Sequence, residues 1–286
     1  MQSTLIIDGN NILHRNYHGL INSNLYDSRN RPIWAVVGSL NTISLYLKSY
    51  EVEKIIVAFD SPGGSTFRKE LSEDYKATRG PSAETVGEQL SHLYLLLNEM
   101  GIPTIAMPGW EADDIIASLH HQSILLGERV ILASGDRDLF QLLDENTVII
   151  GNRNILINHE FVVNKYGVLP TEYRVLSALR GESSDNIRGV KGIGEKKASY
   201  LVSKYHSLDG ILNSEDLKDA KLIQLVKDNK DLILLNLELN KMTTVLEVGS
   251  IVSRAKKPLD LNLIYKVLGS HGLFSSQNNF QKALGG

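Results

Sequence analysis

Short apolar runs, each closing on an acid or a small polar residue, recur through the first half of the chain. Leu5-Ile6-Ile7 precedes Asp8, Ile55-Ile56-Val57-Ala58-Phe59 precedes Asp60, and Val130-Ile131-Leu132-Ala133-Ser134 comes shortly before Asp136. Unbroken runs of this kind predict strands buried on both faces. Between them apolar residues fall at helical spacing. The order is a strand at 4–8, a helix at about 34–50, a strand at 54–59, a helix at about 83–100 and a strand near 103–106, then a helix at about 111–126 and strands at 129–134 and 146–150. That alternation predicts an α/β fold with a mainly parallel sheet flanked by helices. After about residue 155 the strands run out, and helical patterns cover 160–166, 171–179, 195–204 and 217–239. Residues 1–155 are therefore expected to form an α/β core and 156–286 a helical region. The polar, glycine-ended tail from Ser270 is expected to fray.

With 286 residues and 42% hydrophobic composition the chain can bury a sizeable core, and its length suits one large domain plus a smaller one. Cysteine is absent, which excludes a disulfide framework, a thiolate zinc site and a cysteine nucleophile. The first apolar run stops at Asp8, too short and too acidic for a signal peptide, and no later stretch approaches a membrane span. A soluble cytoplasmic protein that does not engage membranes is expected. Histidine offers no competing chemistry: His120-His121 is an adjacent pair and there is no H-E-x-x-H motif.

The acids change the picture. Asp8, Asp60, Glu111, Asp113, Asp114, Asp136, Asp138, Glu182 and Asp185 lie in short motifs, several directly after predicted strands, and in a parallel sheet those strand ends converge on one edge. So many like charges brought together repel or take up protons, and Mg²⁺ or Mn²⁺ is the natural counter-charge for oxygen donors. Taken alone, Asp8 or Asp60 reads more readily as a turn former or helix cap than as a ligand. The dense groups at 111–114 and 136–138 do not, because adjacent like charges stabilise nothing on a solvated surface. The formal net charge of −3 conceals a basic remainder: setting the nine acids aside from 33 leaves 24 against 30 Lys and Arg. Positive charge arranged in patches suits a polyanion.

Two segments stand apart from the alternation. Residues 61–82 hold Phe67-Arg68-Lys69, Tyr75-Lys76 and Arg79 directly after Asp60, a basic and aromatic insertion suited to clamping a nucleic-acid strand by phosphate contact and stacking. The second runs Gly189-Val190-Lys191-Gly192-Ile193-Gly194-Glu195-Lys196-Lys197-Ala198. Its glycines open a turn into a helix start surrounded by lysines, a sequence-independent phosphate grip. It lacks the order of the dinucleotide and nucleotide loops.

Asp8-Gly9-Asn10 with Arg15, Phe59-Asp60, Phe67-Arg68 with Tyr75-Lys76 and Arg79, Glu111-Ala112-Asp113-Asp114, Ser134-Gly135-Asp136-Arg137-Asp138, and Ser184-Asp185-Asn186 through Gly194 stand in one order. That ordered set resembles the 5′-to-3′ exonuclease and flap endonuclease family, which includes the N-terminal nuclease domain of bacterial DNA polymerase I and stand-alone phage and bacterial enzymes. With no room for a polymerase, the chain is similar to the stand-alone members. The resemblance implies a PIN-like nuclease core, a helical arch at about 61–82 and a duplex-binding helix-hairpin-helix at about 185–205. It implies a monomer that cuts 5′ flaps, branched or nicked duplex DNA and RNA primers, in host cytoplasm if phage-encoded, leaving 5′-phosphate and 3′-hydroxyl ends.

Carried over residue by residue, the resemblance gives Asp8, Asp60, Glu111, Asp113 and Asp136 to a first metal site. Asp138, Glu182 and Asp185, with Asp114 nearby, go to a second, for two Mg²⁺ or Mn²⁺ ions. It gives Lys76 and Arg79 to the scissile phosphate, and Arg15, Arg68, Lys69, Tyr75, Lys191, Gly192, Gly194, Lys196 and Lys197 to DNA. The carbonyls of Val190 and Ile193 would hold K⁺. Glu182 departs from the family, where many relatives have Asp, and puts the second site in question. Two rival readings are a catalytically weak structure-specific DNA-binding protein and a metal-dependent single-strand ribonuclease.

Overall fold

The computed structural model describes residues 2–61, 66–77, 84–244 and 246–285. In chain order the elements are β1 (Ser3–Asp8), α1 (Gly9–Leu20), α2 (Trp34–Ser49), β2 (Lys54–Phe59), α3 (Thr66–Leu71), α4 (Glu84–Glu99), β3 (Thr104–Ala106), α5 (Ala112–Leu125) and β4 (Arg129–Ala133). They continue with β5 (Thr147–Ile150), β6 (Leu156–Ile157), α6 (His159–Tyr166), α7 (Tyr173–Arg180), β7 (Gly181–Glu182), β8 (Ile187–Arg188), α8 (Glu195–Tyr205) and α9 (Leu208–Leu212). The chain closes with α10 (Ala220–Asp228), α11 (Lys230–Leu239), α12 (Gly249–Ala255), α13 (Leu261–Ser270) and α14 (Phe274–Leu284). Two compact units result, one drawn from Met1–Gly64, Pro81–Gly135 and Thr243–Gly286, the other from Ser65–Gly80 and Asp136–Met242.

The first unit is built on the parallel strands β3, β2, β1 and β4, in that order. Leu5, Ile6 and Ile7 are fully buried, as a strand covered on both faces requires. The register pairs Asp8 with Ala58 and Ile7 with Ala133, so Asp8, Asp60 and Ser134 leave the same edge of the sheet. At the opposite edge the buried Lys54 ammonium pairs with Glu128, which also accepts the Thr4 hydroxyl at 2.6 Å. A buried charge is tolerable only with such a partner.

The tail does not fray. It forms α14, which packs on α2 with Phe280 and Ser276 fully buried. Asn41 of α2 accepts hydrogen bonds from Ser276 Oγ at 3.0 Å and Asn279 Nδ2 at 3.1 Å. Its few apolar residues suffice because they share one helical face and the polar ones find partners.

In the second unit β5 and β6 pair antiparallel, and so do the two-residue strands β7 and β8. The single helix expected over 217–239 is two helices parted at Asn229 (φ −115°, ψ 21°). Its side-chain amide donates to the Leu225 carbonyl at 2.8 Å, the local competition by which Asn ends helices.

Candidate active site

In the first unit the acids sit where strands hand over to helices. Asp8 ends β1 and caps α1: its Oδ1 accepts the Asn11 N–H at 2.8 Å and its Oδ2 the Ser134 hydroxyl at 2.8 Å. Gly9 follows because the Phe59 ring occupies the place of a Cβ. The next two residues tie neighbouring strand ends together. Asn10 Oδ1 accepts the Asp60 N–H and Asn11 Oδ1 the Gly135 N–H, both at 2.9 Å. Asp60 Oδ1 in turn accepts the Ala112 N–H at 2.7 Å, at the start of α5. Buried Glu111 is the residue before α5, and half-buried Asp113 lies in its first turn, where a helix favours negative charge.

Asp114 belongs elsewhere. Its side chain is 0% exposed and Oδ1 accepts the Thr243 N–H at 2.9 Å, so it pins a distant backbone segment. A carboxylate enclosed in this way serves the fold and is not open to an ion. The structure thus corrects its place beside the second metal site.

The second unit gathers Asp136, Asp138, Glu182 and Asp185. Asp136 Oδ1 accepts the Asp138 N–H at 2.8 Å. Burial, and then the charge of Asp185, raise the proton affinity of Asp136, against the Asp138 N–H and Lys76, which lower it. Asp138 is pushed up to about 8, first by burial and then by Asp136, Asp185 and Glu182. Burial and the mutual repulsion of these acids favour their protonated forms.

The loop that carries Glu182 and Asp185 is shaped by glycine. Gly181 has φ +79°, and a Cβ there would meet the Gly189 backbone, while a Cβ on Gly189 would meet the Arg180 carbonyl. Glu182 does not stand open: Oε2 receives Arg180 at 2.7 Å and Arg137 at 3.4 Å, and Oε1 receives the Ser184 hydroxyl at 3.1 Å.

Within the insertion after Asp60, Asp74 and Lys76 lie against the same loop. Lys76, left-handed at φ +55°, donates its N–H to the Asp185 carbonyl at 2.9 Å and holds its ammonium 3.9 Å from Asp185 Oδ2. Asn186 Nδ2 donates to the Asp74 carbonyl at 2.8 Å. Two residues expected to touch DNA are buried instead. Arg68 is 3% exposed, and its guanidinium donates to the carbonyls of Leu239, the last residue of α11, at 2.9 Å and of Lys241 at 2.7 Å. Tyr75 is 6% exposed, packed with Ile187, Leu239 and Leu235, which leaves no ring face for a base. Lys69 is exposed, and Arg79 lies outside the described residues. In the first unit, half-buried Arg15 donates to the Tyr46 hydroxyl at 3.0 Å.

At the glycine turn Lys191, Gly192, Gly194, Lys196 and Lys197 are exposed, and Gly194 caps α8. The Val190 and Ile193 side chains are buried, and the Val190 carbonyl accepts the Ile193 N–H at 2.9 Å. Lys197 Nζ donates to the Gly192 carbonyl at 2.8 Å.

Among the described residues no three Asp, Glu or His side chains are drawn together tightly enough to hold a metal ion. The donor chemistry is nonetheless that of a hard divalent cation, all carboxylate oxygen, and the mutual repulsion around Asp138 is what such a cation relieves. Asn11 and Arg180 were not singled out from the sequence, and Ser134 and Arg137 entered only as members of the Ser134–Asp138 motif. Asn11 and Ser134 flank candidate acids in the chain, which was the available signal.

Residues 3–167 match the family described as the 5′-3′ exonuclease, N-terminal resolvase-like domain, and 168–258 match the 5′-3′ exonuclease, C-terminal SAM fold. A 5′-3′ exonuclease of Buchnera aphidicola is 34% identical, over 97% of this chain and 94% of that one. The thermostable DNA polymerase I of Thermus thermophilus is 33% identical over 89% of this chain, which spans 30% of the polymerase. In fold the chain is similar to a bacteriophage T5 D15 flap endonuclease, solved as a pseudo-enzyme-product complex with DNA and metal ions. The TM-score is 0.71 at 22% identity, over 100% of both chains. Among the described residues no helix is long and apolar enough to cross a membrane. From its first strand through its C-terminal helical region, the chain belongs to the 5′-3′ exonuclease family.

Proposed function

We propose that the protein is a divalent-metal-dependent 5′ nuclease acting on DNA, with 5′-to-3′ exonuclease and flap endonuclease activity and 5′-phosphate and 3′-hydroxyl products. The observation that carries this reading is the half-buried Asp136, Asp138 and Asp185 group, whose carboxylates repel one another, with the Lys76 ammonium 3.9 Å from Asp185. An anionic substrate needs cations at such a place. Asp136, Asp138 and Asp185 are the residues of the second unit that would hold them. Asp8, Asp60, Glu111 and Asp113 are those of the first.

The chemistry a divalent cation supplies when bound is a more acidic water for attack and charge stabilisation on the leaving 3′-oxygen. The protein's own part is placement. The Asn11 N–H and the Ser134 hydroxyl fix the Asp8 carboxylate and the Ala112 N–H fixes that of Asp60, so little reorganisation accompanies binding there. Lys76, carried on the insertion, adds positive charge to offset the negative charge a phosphodiester gathers during attack, and Arg79 has the same role by resemblance. The exposed lysines 191, 196 and 197 contact phosphate without reading bases, so substrate choice follows DNA structure. A K⁺ ion on the Val190 and Ile193 carbonyls belongs to the same reading; Val190 retains a second lone pair beside its turn hydrogen bond.

The test is cleavage of end-labelled 5′-flap, nicked and single-stranded DNA in Mg²⁺, Mn²⁺ or EDTA. Structure-dependent cutting from the 5′ side in Mg²⁺ or Mn²⁺, abolished by EDTA, is expected. Cutting in EDTA, or of single-stranded RNA alone, would sink the proposal.

A further inference from the structure

Arg137 and Arg180 bracket the same two carboxylate oxygens. Glu182 Oε2 lies 2.7 Å from Arg180 and 3.4 Å from Arg137 through their Nη2 atoms, and Glu195 Oε2 lies 3.2 Å and 3.9 Å from their Nη1 atoms. Two guanidiniums side by side thus present paired donors to two anionic oxygens, the geometry that suits a phosphate. The four members differ in exposure. The side chains of Arg180 and Glu182 are 11% and 14% exposed, whereas those of Arg137 and Glu195 are 44% and 48% exposed. Arg180 is further fixed by its Nε bond to the Gly181 carbonyl at 3.1 Å. One half of the cluster is therefore built in and the other faces water.

We propose that Arg137 and Arg180 form a binding site for a nucleic-acid backbone phosphate, held in the absence of DNA by the carboxylate of Glu195. The inference rests on the nuclease reading above and adds a contact that it did not contain. Glu195 is the first residue of α8, beside Lys196 and Lys197. A phosphodiester that displaces its carboxylate keeps the cluster neutral, one monoanion replacing another, and reaches the positive end of α8. Glu195 then gains water, which an exposed side chain does at small cost. Glu182 stays behind as the permanent counter-ion of Arg180, which also accounts for Glu at this position: its carboxylate is spent on arginines.

Binding of a labelled nicked duplex in EDTA, measured against salt concentration, tests the site. Arg137→Gln should weaken binding roughly tenfold, as loss of one charge-assisted contact does, and reduce the log–log salt slope by about 0.9. Arg137→Lys, which keeps the charge without the fork, should keep the slope and lose part of the affinity. Glu195→Gln should tighten binding in the wild type and do so far less in the Arg137→Gln background. Independent effects of the two changes, or an unaltered slope in Arg137→Gln, would overturn the site while leaving the nuclease reading intact. A wild-type protein that binds no duplex would overturn both.

Discussion

Arg68 offers the sharpest test of how the insertion is held. Its guanidinium is almost fully buried and bridges the carbonyls of Leu239 and Lys241. Arg68→Met removes both donors while keeping much of the apolar stem. A hydrogen bond from a charged group contributes about 1.5–3 kcal/mol, but the exposed carbonyls regain water once the segment lifts. The net loss of docking free energy is therefore nearer about 2–3 kcal/mol, roughly 30- to 150-fold in the population of the lifted state.

Native-state hydrogen exchange reads that population directly. The Lys76 amide, bonded to the Asp185 carbonyl at 2.9 Å, reports on docking beside the acids. Its exchange should accelerate by the factor above in Arg68→Met, and by less in Arg68→Lys, whose single ammonium cannot bridge two carbonyls. Exchange at Lys76 within threefold of wild type would refute the lock. If DNA affinity fell while exchange stayed unchanged, Arg68 would be a phosphate contact after all, as the family resemblance implied.

Asp113→Asn or Asp136→Asn should abolish cleavage of a 5′ flap while leaving duplex binding intact or tighter, since each removes a cation ligand and a repelling charge; near wild-type cutting at saturating Mg²⁺ would count against the site. Asp114→Ala should behave differently, lowering stability by about 1–3 kcal/mol through the orphaned Thr243 N–H, read as a drop in urea midpoint, with no change in the Mg²⁺ concentration needed for activity. Asp138 holds its proton in the fold up to about 8, whereas an unfolded Asp releases it near ~3.9. Between those values the native state binds the extra proton, so metal-free stability should fall as pH rises through that window. Saturating Mn²⁺ should remove the fall, and a urea midpoint in EDTA that climbs from pH 5 to pH 8 contradicts it.

What was legible in the sequence was local. The apolar runs that became β1, β2 and β4 needed only their own composition to declare buried strands, and the acids at 111–114 and 136–138 needed only adjacency to suggest a cation site. The glycine turn before α8 was equally readable, because left-handed backbone at Gly192 (φ +94°) selects its residue type. Position relative to distant chain was not legible. Arg68 looks like a phosphate contact until the Leu239 carbonyl, 171 residues away, meets its guanidinium. Asp114 looks like a ligand until Thr243, 129 residues on, donates to it. Glu182 looks like an open carboxylate until Arg137 and Arg180 converge on it, and the polar tail looks loose until Asn41 and the surface of α2 receive it. A charged or polar side chain carries no mark of its partner in the linear chain. Burial decides whether it faces water, a carbonyl or an opposite charge, and burial is a property of the packed tertiary structure alone.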